Sequence, residues 1–218
     1  MKLLAAILLI LAAPIKSQSN LDEYFASKGL INMAALDNSI KVELRYATPN
    51  NIFGQAVYRQ ISAAWLHPQA AAKLVEAQRL LKAQHPRYSL LIYDAARPIT
   101  VQQEMWNIAR KAGKTQYVSN PANGGGLHNY GMAVDLTIVD PSGRPLNMGA
   151  PFDHFGPESH INNETNLVQT GKITPQALAN RQLLRSIMTR AGFRTILYEW
   201  WHFNACSRQE ARENIPIL

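Results

Sequence analysis

The chain has 218 residues, with 22 Lys and Arg against 15 Asp and Glu, a formal charge of +7 and a single cysteine, Cys206. One cysteine excludes an internal disulfide, so the fold must be held by core packing or by a metal. The basic residues are scattered, with no cluster of five or more and no interleaved aromatics, which argues against a nucleic-acid binder and suits a protein that meets an anionic envelope.

The chain opens "MKLLAAILLILAAPIKSQSN": one lysine, an apolar run from Leu3 to Ala13, then polar residues. This pattern predicts a secretory signal peptide over residues 1–18, too short to span a bilayer. Cleavage is expected between Ser17 and Asn20, although "PIKSQS" is a poor small-x-small site and an uncleaved anchor is the alternative. Loss of Lys2 and Lys16 would lower the formal charge from +7 to +5. Residues 19–218 show no repeat, linker or charge block, and they are enough for one domain with a sizeable core.

Residues 67–86, "HPQAAAKLVEAQRLLKAQHP", predict a helix with Pro68 in its first turn, Leu74, Ala77 and Leu81 on one face, and Pro86 as its stop. A buried strand is expected over 88–95, a helix over 99–113 closed by Gly113, and a strand over 132–139. Thr174 as cap and Pro175 at the first helical position open a helix over 174–192. The stretch 193–203, "FRTILYEWWHF", reads as a strand that runs into something irregular. Mixed helices and strands predict an α+β domain.

The anomaly lies in "GGGLHNYGMAVDLTIVD", residues 124–140. Met132, Val134, Leu136 and Ile138 share one face of the strand and predict core, while Ala133, Asp135 and Thr137 share the other. An ionised Asp135 among apolar neighbours would cost several kcal/mol without a cationic partner. His128 precedes it in a loop that the surrounding glycines free to bend back over the strand. The matching half is "EWWH", Glu199–His202, where both ends enter one cleft only if the backbone turns at Trp200-Trp201, with the two indoles as apolar walls. Two histidines, an aspartate and an adjacent glutamate are the constituents of a catalytic zinc site. Each alone also has an ordinary reading, as a loop histidine, a strand hydrogen-bonder or a packed aromatic edge. His154 and His160, in "PFDHFGPESH", are further ligand candidates in what reads as a surface loop. His67 and His85 flank a helix and are expected to be solvated, and Cys206 is expected to be a small buried hydrophobe.

"HNYGMAVD" fits the pattern His-x-x-Gly-x-Ala-x-Asp, and with "EWWH" near the C-terminus the chain resembles the D-alanyl-D-alanine dipeptidases of the VanX type. "LRYAT" (44–48), "NIFGQAVY" (51–58), "YDAARP" (93–98) and "MGAPFDHF" (148–155) extend the resemblance over nearly all of residues 19–218. It implies a single-domain hedgehog/DD-peptidase-like fold, with a small antiparallel sheet flanked by helices. It also implies one zinc per chain on His128, Asp135 and His202, with Glu199 as base, Arg97 near the scissile carbonyl and Asp153 near the substrate's amino end. One departure is Gly126, which stands where the family usually has a serine and could offer substrate only a backbone N–H. The implied protein is an exported, periplasmic dipeptidase for a small D-amino-acid dipeptide. The alternatives are a D,D- or L,D-carboxypeptidase trimming murein stem peptides, and a non-catalytic zinc protein that holds wall peptides.

Overall fold

In the computed structural model residues 20–218 are described, so the expected signal peptide lies outside the described residues. The described residues open with α1 (Leu21–Ser27), β1 (Ile31–Asn32), α2 (Met33–Leu36), β2 (Lys41–Val42) and β3 (Trp65–Leu66). They continue through α3 (Pro68–Gln84), β4 (Ser89–Asp94), α4 (Ile99–Lys111) and β5 (Ala133–Val139). They close with α5 (Glu164–Gln169), α6 (Pro175–Arg190), β6 (Arg194–Thr195), β7 (His202–Asn204) and α7 (Arg208–Asn214). Among the described residues no helix is long and apolar enough to cross a membrane.

The fold is α+β, as expected. Its main sheet has the order β2-β4-β5-β7-β6, antiparallel except at the edge, where β2 runs parallel to β4. A two-stranded antiparallel sheet of β1 and β3 lies apart from it.

The predicted helices form for the reasons read in the sequence. His67 caps α3 and Pro68 starts it, while Leu74, Ala77 and Leu81 are wholly buried. Thr174 accepts the Ala177 N–H at the start of α6, whose Leu184, Ile187 and Met188 are wholly buried too. These faces pack with Leu90 and Ile92 of β4 and with Val134, Leu136 and Ile138 of β5 into the main core. Truncating any such leucine to alanine costs about 2–5 kcal/mol.

The expected strand over 193–203 is instead a hairpin. Arg194 pairs with Asn204 and Thr195 with Phe203, so the segment doubles back across residues 196–201. Its β-branched and aromatic content marks a sheet edge without fixing which residues make the turn. Of the polar face predicted on β5, only Asp135 reaches the main cavity. Ala133 is core, and Thr137 lines a separate depression with Arg45, Tyr93 and Trp200.

Candidate metal centre and active site

A cavity of about 430 Å³ opens over the Asp135 side of β5, with Arg97, His128, Asp153, Glu199 and His202 in its walls. Three features bring His128 to it. Its residue lies in the short 3-10 helix Leu127–Tyr130, buried between glycines. Gly125 has φ +61°, and a Cβ there would overlap Asn129 Oδ1. Gly131 has φ +65°, and a Cβ there would meet the His67 backbone nitrogen at 2.9 Å. Only glycine combines that backbone with that closeness.

Asp135 and His202 face each other across the β5–β7 register. The turn expected at Trp200-Trp201 is present, with the His202 N–H reaching the Glu199 carbonyl at 3.4 Å. His202 Nδ1 lies 2.9 Å from Asp135 Oδ1 and 3.3 Å from His128 Nε2, and His128 Nε2 lies 3.4 Å from Asp135 Oδ1. These three residues are the group that could hold a metal ion among the described residues.

The outward ring nitrogens decide what the inward ones can do. His128 Nδ1 is 2.7 Å from the Ala95 carbonyl, which can only accept, so Nδ1 carries the proton and Nε2 presents a lone pair. His202 Nε2 is 2.8 Å from Asn204 Oδ1, which in the same way leaves Nδ1 as a lone pair. Two lone pairs and a carboxylate oxygen crowded together require a cation or a shared proton between them, so the residues present fit a metal. Burial opposes the charged forms, yet the two histidines hold Asp135 well below the usual carboxylate range, and the bond to Asp135 lifts His202 to about 9.

Glu199 stands just outside this group. Its Oε2 is 3.9 Å from His202 Nδ1, and burial pushes its carboxyl up. Arg97 is buried, ion-paired to Asp94 and bonded through Nη1 to Gln102 at 2.9 Å. The Arg97 backbone N–H donates to the His128 carbonyl at 2.9 Å, which ties the Arg97 backbone to the histidine loop. Asp94, wholly buried and also bonded by Tyr58 at 2.6 Å, is a site residue that sequence reading passed over. Its signal was the one that exposed Asp135, an acid in an apolar strand.

Asp153 sits in the cavity wall at φ +61°, its Oδ1 bonded by the Tyr46 hydroxyl at 2.8 Å and its Oδ2 by the Ile52 N–H at 3.1 Å. Burial pushes its carboxyl up to about 7 from an ordinary 3.8, and the Asp135 and Glu199 carboxylates add to the rise. The ionised form therefore costs folding energy that is absent well below pH 3.8, grows up to about pH 7 and is constant above it. Asp153→Asn copies the neutral acid, and asparagine accepts the left-handed backbone. In metal-free protein this variant should raise Tm at about pH 8 and leave it nearly unchanged at about pH 4. Thermal unfolding at the two pH values checks this, and a gain independent of pH would mean that the charge is not what is being relieved.

Other expectations are corrected. Trp201 lines the cavity, but Trp200 does not: the two indoles meet edge to face, with planes at 89°, and Trp200 Nε1 donates to the Ala150 carbonyl at 3.1 Å. The Gly126 N–H, expected to face substrate, is already given to Asn129 Oδ1 at 2.8 Å. Cys206 is half-buried in the cavity wall rather than fully enclosed. His154 approaches Glu158 at 3.2 Å and His160 packs edge-on to Tyr198, so neither joins the metal group. His67 and His85 are only half-exposed, one as the helix cap and the other stacked on Tyr88.

The family model for the D-Ala-D-Ala dipeptidases (peptidase M15) matches residues 26–216. The chain belongs to this family of metal-dependent peptidases. A D-alanyl-D-alanine dipeptidase of Escherichia coli K12 is 37% identical over 174 residues, 80% of this chain and 83% of the relative. Those of Synechocystis, at 29% over 68% of this chain and 72% of the relative, and of Enterococcus faecalis, at 28% over 80% and 90%, are similar as well. In this dipeptidase-family chain the matched region includes the metal group, Glu199, Arg97 and Asp153 together.

Proposed function

We propose that the protein is an exported, periplasmic zinc dipeptidase that hydrolyses D-alanyl-D-alanine. The observation that carries the reading is the metal-ready trio of His128, Asp135 and His202, with the unbonded carboxylate of Glu199 beside it in one cavity. Kinship with named D-alanyl-D-alanine dipeptidases supplies the substrate, and the apolar run Leu3–Ala13 after Lys2 supports export.

One zinc would be held by the trio, where it supplies Lewis acidity that lowers the pKa of a water toward about 7 and polarises a carbonyl. Glu199 takes the proton of the attacking water on a carboxylate oxygen and passes it to the leaving amine nitrogen. Its raised proton affinity suits both steps. Arg97 stays charged: burial opposes its charge, but Asp94 together with Tyr58 and Tyr46 more than offsets it. Two of its five N–H groups go to Asp94 and Gln102, and others remain for the developing oxyanion, where loss of one donor costs about a hundredfold in rate.

Asp153 receives the substrate's ammonium. An N-acylated or longer peptide would set an uncharged amide against it, leaving a buried carboxylate unpaired at about 1–3 kcal/mol. The expected result is that D-Ala-D-Ala is cut at least about tenfold better in kcat/KM than its N-acetyl form or a stem pentapeptide, and that Asp153→Ala narrows this gap. Steady-state kinetics on the three substrates, with L-Ala-L-Ala as control, test it. Equal cleavage of free and acetylated dipeptides would move the protein to the carboxypeptidase alternative, and no cleavage of any would leave a binding protein.

A further inference from the structure

Position 126 contributes nothing of its own to the cavity it lines. It has no side chain, and its N–H is held by Asn129. What fills the space over its Cα is Ser119, whose Oγ lies 3.0 Å from where a Cβ at 126 would stand. Ser119 is an exposed residue of the cavity wall, and its hydroxyl makes no hydrogen bond to any described residue, so it is free for a ligand.

The backbone that carries this hydroxyl is held from behind. The Ser119 carbonyl accepts the Gln102 Nε2 at 2.8 Å, and Gln102 Oε1 accepts the Arg97 Nη1 at 2.9 Å. Gln102 is buried at 1% exposure and rises from the first turn of α4, so the loop carrying Ser119 is fixed relative to the Arg97 guanidinium. With its backbone anchored, the residue has only its side-chain rotation to lose when the hydroxyl binds. Arg208, in the same cavity wall, borders the Asn123–Gly124 side of the loop that leads to Gly126, and it has no acidic partner among the described residues. A hydroxyl donor and a cation in that wall suit a carboxylate, while Asp153 would repel one.

We propose that Ser119, a residue outside the motifs that carry the zinc chemistry, fixes the C-terminal carboxylate of the peptide and so helps to set specificity. The proposal rests on the dipeptidase reading. Ser119→Ala in the zinc-loaded protein should raise KM for D-Ala-D-Ala about tenfold with kcat within about twofold, the loss of one hydrogen bond to a charged group. The variant should also narrow the preference for D-Ala-D-Ala over its C-terminal amide. Gly126 has φ −109° and ψ −179°, open to any residue, and without Ser119 Oγ a serine there meets only the residue-119 Cβ, at an ordinary 3.5 Å. Ser119→Ala/Gly126→Ser should therefore recover most of the lost affinity. Calorimetric titration of Glu199→Ala and Glu199→Ala/Ser119→Ala with D-Ala-D-Ala gives the same comparison without turnover. Unchanged KM and Kd in Ser119→Ala, or equal losses for the acid and the amide, would overturn the assignment. Failure of the unaltered protein to cut D-Ala-D-Ala would instead reject the dipeptidase reading.

Discussion

His202→Ala is expected to yield protein without bound zinc and without measurable cleavage of D-Ala-D-Ala, as are His128→Ala and Asp135→Ala. Removing the His202 imidazole leaves two protein ligands where a stable catalytic site needs three. It also takes away the closest partner of the Asp135 carboxylate, at 2.9 Å, and leaves that buried acid to His128 alone. Because metal binding to a site absent from the unfolded chain is also folding free energy, the variant should unfold at lower temperature than the zinc-loaded parent, and chelation should lower the parent's Tm in the same direction. Metal content by atomic spectroscopy, set beside Tm, checks this. About one zinc per chain remaining in His202→Ala would place the ion elsewhere and undo the ligand assignment.

Glu199→Ala should behave in the opposite way. It keeps zinc and fold while kcat falls at least about a hundredfold, since general acid-base catalysis typically supplies 10²–10⁴. The structure gives a reason to expect the fold to survive. The Glu199 carboxylate accepts no hydrogen bond from any described residue, and burial already disfavours its charged form, so its removal orphans no donor and relieves a cost. Tm should be equal to or above the parent's. Metal analysis, thermal unfolding and turnover on one preparation separate the outcomes: near-normal turnover would mean another base, and loss of zinc would make Glu199 a ligand.

These two residues also show how much was legible in the chain. Glu199, His202, His128 and Asp135 were found because each breaks a local rule. Asp135 is charged inside an apolar strand, and His128 stands in a glycine-rich loop. The i, i+3 pair of Glu199 and His202 cannot share a face of a regular strand. Such conflicts are readable one segment at a time, since propensity and periodicity are properties of neighbouring residues. Helices α3, α4 and α6 were legible for the same reason, their caps, prolines and apolar spacings all falling within about 20 residues.

Local pattern along the chain was enough for the α+β class, the long helices, the strand carrying Asp135 and the residues of the candidate metal group. Tertiary structure alone decided that residues 193–203 form a hairpin, that Trp200 turns to the Ala150 carbonyl while Trp201 faces the cavity, and that Arg97 is held by Asp94 and Gln102. It alone also decided that the Gly126 N–H is taken and that Ser119 stands in its place. Each of these outcomes depends on which donor meets which acceptor, or which side chain reaches an open space first, across the folded chain. Trp200 finds its partner 50 residues away, and Asp153 finds Tyr46 at a separation of 107. A pattern confined to one segment holds no record of such partners, because it is the closure of the core that brings them within reach.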